Sequence, residues 1–516
     1  MDQARSLQNL ATPYQGIAGR FREEFELDTQ FSADFIEERI GTSSLNRGIG
    51  ARRTGTEMIT RTLFDFYRCP EDLVQFSLAS KMSGDCGFFK FSQKIVCYGR
   101  DAYGRARNDV NDNLCDVASD VVLNGDCAQL PFDPTEVVDN LRMERYWGNG
   151  QASTLPLALD KSLHWSYYLV RKLLTVGVRK HLQKAYLRNR LNRIFPHWPI
   201  DCTVEHLHRE LLGLSLKTSG QHKVPFIWFW PDGASSCLAL THDVETEAGR
   251  NFCGDLMKIN EQFGFRSAFQ IIPEERYTIP SGFCNDFRNR GFEINVHDLN
   301  HDGRLYRNHE EFLRRARKIN HYAREFGATG FRSGAMYRNP EWYSAFEFSY
   351  DMSVPNAAHL EPQFGGCCTV MPYFIGKLLE LPLTMTQDYS LFHVMDDYSL
   401  ELWKGQIDTI LAENGLIMFI THPDYLKESR ARQTYLKLLE LLRLKCSEAN
   451  IWAALPCHVD QWWRQRNEMY LVREGDKWTI EGKGQERARL AYAELHGDSV
   501  VYRLSPEQHD PSAFSA

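Results

Sequence analysis

From about residue 224 the chain alternates short, nearly continuous apolar runs with longer stretches of helical period. The runs are CLAL before Thr241, SAFQII (267–272), FEINV (292–296), TGFRSG (329–334), LLELPL (378–383) and LIMFI (416–420). Strand-length runs that are apolar on both faces belong to parallel sheets covered on both sides. The amphipathic stretch EEFLRRARKINHYAREFG (310–327) is the kind of helix that covers them. The pattern therefore predicts an α/β unit built on a parallel sheet, closed or open.

The flanks have a different texture. GFFKFSQKIVCYGR (87–100) predicts a hairpin-like pair of strands, and Pro-Thr-Glu in LPFDPTEVVDNLRMERY (130–146) predicts a helix start. The N-terminal region is thus mixed α and β. After Trp463, MYLVREG, KWTIEGKG and ARLAYAELHGDSVVYRL predict short strands with glycine turns, followed by a frayed tail. The resulting organisation is an N-terminal α+β region at 1–160, a basic helical linker at 161–223, a catalytic unit at 224–463, and a small β appendix and tail at 464–516.

The linker carries nine basic residues between Lys161 and Arg193 and no acidic one. Leucines at helical spacing and Trp165, Tyr167 and Tyr168 at one end would suit a peripheral contact with an anionic membrane; a solvated basic face on a packed helix accounts for the same pattern. Pro196 and Pro199 end this helix. The net charge of −7 excludes a generic nucleic-acid binder, which needs a clustered excess of Lys and Arg. No secretory signal is visible in MDQARSLQNLATPYQG, so a cytoplasmic place is expected. The thirteen cysteines form no CxxC pair and are expected to be reduced and mostly buried.

Candidate chemistry sits where apolar runs end: Thr241-His242-Asp243-Val244-Glu245, His297-Asp298-Leu299-Asn300-His301, Phe331-Arg332-Ser333-Gly334 and Ile420-Thr421-His422-Pro423. These are positions at which parallel α/β sheets carry their sites. His297 and His301 stand four apart, close enough on a turn to reach one cation. Asp243 and Glu245, two apart on an extended chain, point to the same side while Val244 points to the other. Two adjacent carboxylates raise each other's pKa unless a cation lies near them. A divalent metal held by a carboxylate and two histidines, with open positions left over, resolves that repulsion.

An acidic first strand end, H-x-x-x-H after a later strand, an Arg in the next block and a strand-ending Thr-His together resemble the polysaccharide deacetylases of carbohydrate esterase family 4, the nodulation-protein-B homology domain. The resemblance covers about residues 224–460. It implies a distorted, incomplete (β/α) barrel and one divalent metal, usually Zn2+, with His297 and His301 as ligands. In that family the first motif reads Thr-Phe-Asp-Asp-Gly, the first Asp being the base and the second a ligand. Here Val244 replaces the second Asp, so the roles are redistributed: Asp243 is assigned as ligand and Glu245 as base or auxiliary ligand, with the reverse open and His242 a further candidate. Arg332 stands for the arginine of the third motif, suited to pairing with the base carboxylate, and Ser333-Gly334-Ala335-Met336-Tyr337 departs from that motif. His422 stands for the general acid, with Asp351, Asp388 and Asp424 as candidates to orient it.

The resemblance implies a metal-dependent hydrolase that removes N-acetyl groups from a polysaccharide or glycoconjugate. Backbone N–H groups near Tyr337 would meet the substrate, and Trp228, Trp230, Tyr306, Trp342 and Tyr425 are candidates to stack on sugar faces. Hydrolysis of another C–N amide on the same scaffold, or an inactive carbohydrate-binding protein, are the alternatives.

Overall fold

The computed structural model describes residues 61–147 and 193–506, apart from residues 80, 112 and 126. The basic helix expected over 161–193 lies, but for its last residue, outside the described residues. Among them, no helix is long and apolar enough to cross a membrane.

The apolar runs become the strands β1 Ser236–Val244, β2 Ala268–Ile271, β3 Glu293–His297, β4 Gly330–Arg332, β5 Tyr350–Asp351, β6 Tyr373–Ile375, β7 Leu378–Glu380, β8 Leu416–Thr421 and β9 Ile451–Ala453. They form one sheet in the order β6-β7-β5-β4-β3-β2-β1-β8, with β9 beside the start of β1. All neighbours are parallel except β6 and β7. The sheet curls until the segment after β7 meets β8. There the contact is one backbone bond, Met385 N–H to Met418 O at 3.2 Å, and the Thr384 hydroxyl, which donates to Leu416 O at 2.7 Å and accepts from Met418 N at 2.9 Å. The fold is therefore the distorted, incomplete (β/α) barrel that the motifs implied.

Helices α1 Glu247–Gln262, α2 Phe283–Asn289, α3 His309–Phe326, α4 Glu401–Ala412 and α5 Ser429–Glu448 cover the outside, and α6 Pro456–Glu468 packs Val459, Trp462 and Trp463 into the other core. Their ends follow ordinary capping chemistry. Thr246 and Asn308 accept the N–H groups of Gly249 and Glu311, and Gly327 closes α3 in the left-handed region. Along β1 the period of two sorts the side chains. Leu238 and Leu240 join the core under the helices, whereas Cys237 and Ala239 join a second core inside the sheet.

That inner core runs on into the flanking regions. It includes Phe88, Phe132 and Leu141 from before the barrel, Leu207 and Leu211 from the helix Thr203–Ser219, and Leu490 and Ala491 from the C-terminal strands. The expected hairpin forms as Gly87–Phe91 against Ile95–Gly99, and the expected helix as Pro134–Arg142, capped by Asp133. Part of the C-terminal β region pairs back: Leu490–His496 lies between Ser499–Leu504 and Lys223–Ile227, the strand that leads into the barrel. Arg466 on α6 ties these parts together. Its guanidinium is fully buried and donates to the carbonyls of Phe66, Ile227 and Trp228 at 2.9, 2.8 and 3.0 Å. Among the described residues no carboxylate is bonded to it, and burial pulls its pKa down to about 9.

A second buried charge gives a test. Glu205, on the helix Thr203–Ser219, accepts from the Thr369 hydroxyl and from Val370 N at 3.2 Å, and burial pushes its carboxyl up to about 7. A folded-state pKa above the unfolded value of about 4.3 means stability is intact below pH 4 and is lost as pH rises to about 7, on the order of 3 kcal/mol in all. Glu205→Gln removes that titration. Thermal melts from pH 5 to pH 8 should show the variant gaining on the parent. A gap independent of pH would mean that Glu205 does not titrate there.

Candidate functional site

The C-terminal ends of four strands bring the four motifs to one rim. β1 carries Thr241 and Asp243 on its inner face with Glu245 just beyond, β3 ends on His297, β4 ends on Arg332, and β8 ends one residue before His422. His301 comes from the tight loop after β3. It has a left-handed backbone (φ 55°), as has Asp298 (φ 57°).

The structure gathers Glu245, His297 and His301 into one group. One ligand atom from each lies within 4.8 Å of the others, close to the span of ligands bonded at about 2 Å to a shared cation. Glu245 Oε1 is 3.7 Å from His297 Nε2 and 2.9 Å from His301 Nε2. Both nitrogen atoms are buried, and among the described residues neither has a partner in good hydrogen-bond geometry. The tautomer of His297 fits a ligand role: its Nδ1 lies 3.2 Å from the carbonyl of Arg332, which can only accept, so Nδ1 holds the proton and Nε2 keeps its lone pair. No such acceptor fixes His301, whose Nδ1 faces Arg276 Nη2 at 3.4 Å. A donor set of one carboxylate and two imidazoles suits a divalent metal of the zinc type.

Asp243, the expected ligand, is engaged elsewhere. Arg332 crosses the barrel interior and donates from Nη1 to Asp243 Oδ1 and to the Thr241 hydroxyl, both at 2.7 Å, while its Nε donates to Met352 O at 3.0 Å. The other oxygen of Asp243 lies 3.7 Å from His297 Nε2. Burial works against the charge of Asp243, but Arg332, His297 and His422 outweigh it and hold the carboxyl below the usual carboxylate range. The position of Asp243 thus matches a carboxylate paired with an arginine beside a metal group, and that of Glu245 matches a ligand. These positions favour the alternative that the sequence leaves open, with Glu245 rather than Asp243 grouped with the two imidazoles. His242 is not part of the group. It faces the helix layer, bonds Thr421 Oγ1 at 2.7 Å and Ser267 Oγ at 3.0 Å, and is held neutral by burial, with a pKa of about 3.

His422 approaches Glu245 Oε1 from the other side, at 3.5 Å. Of its three candidate partners the structure selects Asp388, which accepts from His422 Nδ1 at 2.6 Å and from its backbone N–H at 2.7 Å. Burial disfavours a charged imidazole, yet Asp388, with smaller contributions from Tyr425 and Glu245, raises His422 well above its ordinary pKa. Asp351 is bonded instead to Ser353.

Tyr337 departs from its expected role in one respect. Its backbone N–H is turned to Gly334 O at 3.3 Å, inside its own loop. That loop still touches the group: a Cβ at Gly334 would stand 2.6 Å from Asp298 Oδ2 and 3.0 Å from the ring of His301, so only glycine fits. Of the rim aromatics, Trp228, Trp230, Tyr306 and Trp342 are core residues, and Tyr425 is the one beside His422, with ring centroids 4.7 Å apart. A small cavity of about 20 Å³ is lined by Trp198, Glu361, Thr386, Gln387, Gln406 and Ile420 among others. Access is over Glu245 and His301, whose side chains keep 25% and 15% exposure, against 0% for His297.

No family model matches the sequence, and no curated protein matches it. Similar solved structures include a putative polysaccharide deacetylase from Mycobacterium smegmatis, 18% identical, over 46% of this chain and 93% of that one, with a TM-score of 0.37. A probable polysaccharide deacetylase from Pseudomonas aeruginosa PAO1 is 12% identical over 46% and 93% of the two chains, with a TM-score of 0.36. PuuE allantoinase is 12% identical over 46% and 92%, with a TM-score of 0.35. At these identities and TM-scores the likenesses carry no residue assignments.

The grouping of Glu245, His297 and His301 can be tested against Asp243. Glu245→Ala, His297→Ala and His301→Ala should each lower the affinity for Zn2+ or Co2+ at least tenfold in titration calorimetry, whereas Asp243→Asn should stay within a few-fold of the parent. Equal losses from Asp243→Asn and Glu245→Ala would show that both carboxylates bind the metal.

Proposed function

We propose that this chain is a metal-dependent hydrolase that removes N-acetyl groups from a carbohydrate. The observation that carries the reading is the convergence of three imidazoles, His297, His301 and His422, on Glu245 Oε1 at 3.7, 2.9 and 3.5 Å, with an arginine-paired carboxylate alongside. Glu245, His297 and His301 would hold one divalent metal, most suitably Zn2+. When bound, it supplies a Lewis acid for the acetamide carbonyl and makes a nearby water more acidic.

The other residues then have distinct tasks. Arg332 keeps Asp243 ionised, and Asp243 Oδ2 is the oxygen placed to take a proton from the attacking water. His422, kept protonated by Asp388, gives its Nε2 proton to the departing nitrogen as the C–N bond breaks. Acetate and a free amine are the products. Asp388 also fixes the ring of His422 by accepting from both Nδ1 and the backbone, so the proton to be donated sits on Nε2, the nitrogen that faces Glu245.

Acetate release from N-acetylglucosamine oligosaccharides by metal-loaded protein tests the reading. Metal binding without acetate would point to a different C–N amide as substrate, and protein that binds no metal would overturn the proposal. Asp243→Asn and His422→Ala should each lower kcat by about 10²- to 10⁴-fold while leaving KM near that of the parent. The pH profile gives a further check. Asp388 raises the pKa of His422, so the proton to be donated persists into the alkaline range; Asp388→Asn should move the alkaline limb of kcat to lower pH, and an unmoved limb would remove His422 as the acid.

A further inference from the structure

We infer that Glu144, contributed by the region before the barrel, is a positioning residue of the candidate site, so that residues 61–147 take part in its function. The inference rests on the metal site proposed above. Glu144 and Arg338 form a buried ion pair with side-chain exposures of 1% and 0%. Arg338 Nε donates to Glu144 Oε2 at 2.7 Å and its Nη2 to Oε1, a two-point pairing that fixes the guanidinium in direction as well as place. The remaining donors reach Met336 O at 2.8 Å and Phe364 O at 2.9 Å.

The chain is shaped around this carboxylate from both sides. Gly366 donates its N–H to Glu144 Oε1 at 2.6 Å, and a Cβ on Gly365 would fall on the same oxygen. Glu144 itself has a left-handed backbone (φ 54°), which is unfavourable for a non-glycine residue and persists only where the surroundings impose it.

What the pair holds is the loop between Arg332 and Arg338. Ala335 and Met336 are consecutive left-handed residues (φ 54° and 56°), and Arg338 Nη1 grips the carbonyl of Met336 directly. At the other end of the loop, Gly334 has no room for a Cβ beside Asp298 and the ring of His301. Relaxation of the loop therefore reaches a proposed metal ligand by contact. The order of action is Glu144, Arg338, the strained pair, then His301.

Cobalt(II) titration of the full chain tests this, read both as affinity and as the visible absorption band, with kcat and KM for acetate release measured alongside. Glu144→Gln keeps the shape and loses the charge. It should bind cobalt at least tenfold more weakly, with an altered band, and lower kcat more than it changes KM. Glu144→Asp, which keeps the charge but is one methylene short, should fall between Glu144→Gln and the parent, and it carries the test if Glu144→Gln is recovered unfolded. Folded variants that melt earlier but keep the parent's cobalt affinity, band and kcat would reduce the pair to a structural role and overturn the inference while leaving the hydrolase reading intact. A parent that binds no cobalt would overturn both.

Discussion

The Arg332 guanidinium is the constraint around which the rim is organised. It projects from β4 across the inside of the sheet to Thr241 and Asp243 on β1, three strands further round, and so braces separate walls at the level where the chemistry sits. Taking an arginine and an aspartate out of water costs several kcal/mol per ion, and the pair holds because the geometry is close and Nη1 and Nε also find acceptors in Thr241 and Met352. Its carbonyl does a second job. By accepting from His297 Nδ1 and from the N–H of Asp298 at 2.8 Å, it sets both the tautomer of one proposed ligand and the turn that leads to the other.

Much of this frame is legible in the chain. Doubly buried strands were readable because parallel strands need apolar side chains on both faces, and every motif fell at a strand end. The division of labour between Asp243 and Glu245 was not readable from their spacing, since an i, i+2 pair on one face leaves open which carboxylate meets the arginine and which meets the histidines. The answer depends on how far Arg332 reaches, a tertiary distance. The exclusion of His242 was within reach, because the same period of two that aligns Asp243 with Glu245 turns His242 outward. Thr241 had the same signal and was passed over, although it shares the inner face and accepts from Arg332. Asp388 lies 34 residues before His422, and sequence offered Asp351 and Asp424 on equal terms. Glu144 gave no signal, being 194 residues from the arginine it pairs with.

The left-handed residues around the site, Asp298, His301, Ala335 and Met336, are a second shared feature. None is glycine, so each stores backbone strain that regular secondary structure would avoid. Their grouping on two adjoining loops fixes His301 by crowding from one side and by the backbone of its own turn from the other. A side chain so held changes position only by discrete rearrangement of a loop, which suits the preorganised metal site proposed above.

Arg466 bears on how the molecule comes apart. Carried by one stretch, its guanidinium leans on carbonyls of two others, at Phe66 and at Ile227 and Trp228, far apart in the chain, and withdrawal of any one of the three strands a cation in a dry interior. Peeling away a single stretch is thus nearly as costly as opening all three. The clamp links the fates of the leading segment, the entrance to the barrel and its closing helix, so proteolytic trimming from either end meets resistance at the same point rather than a graded series of weaker ones.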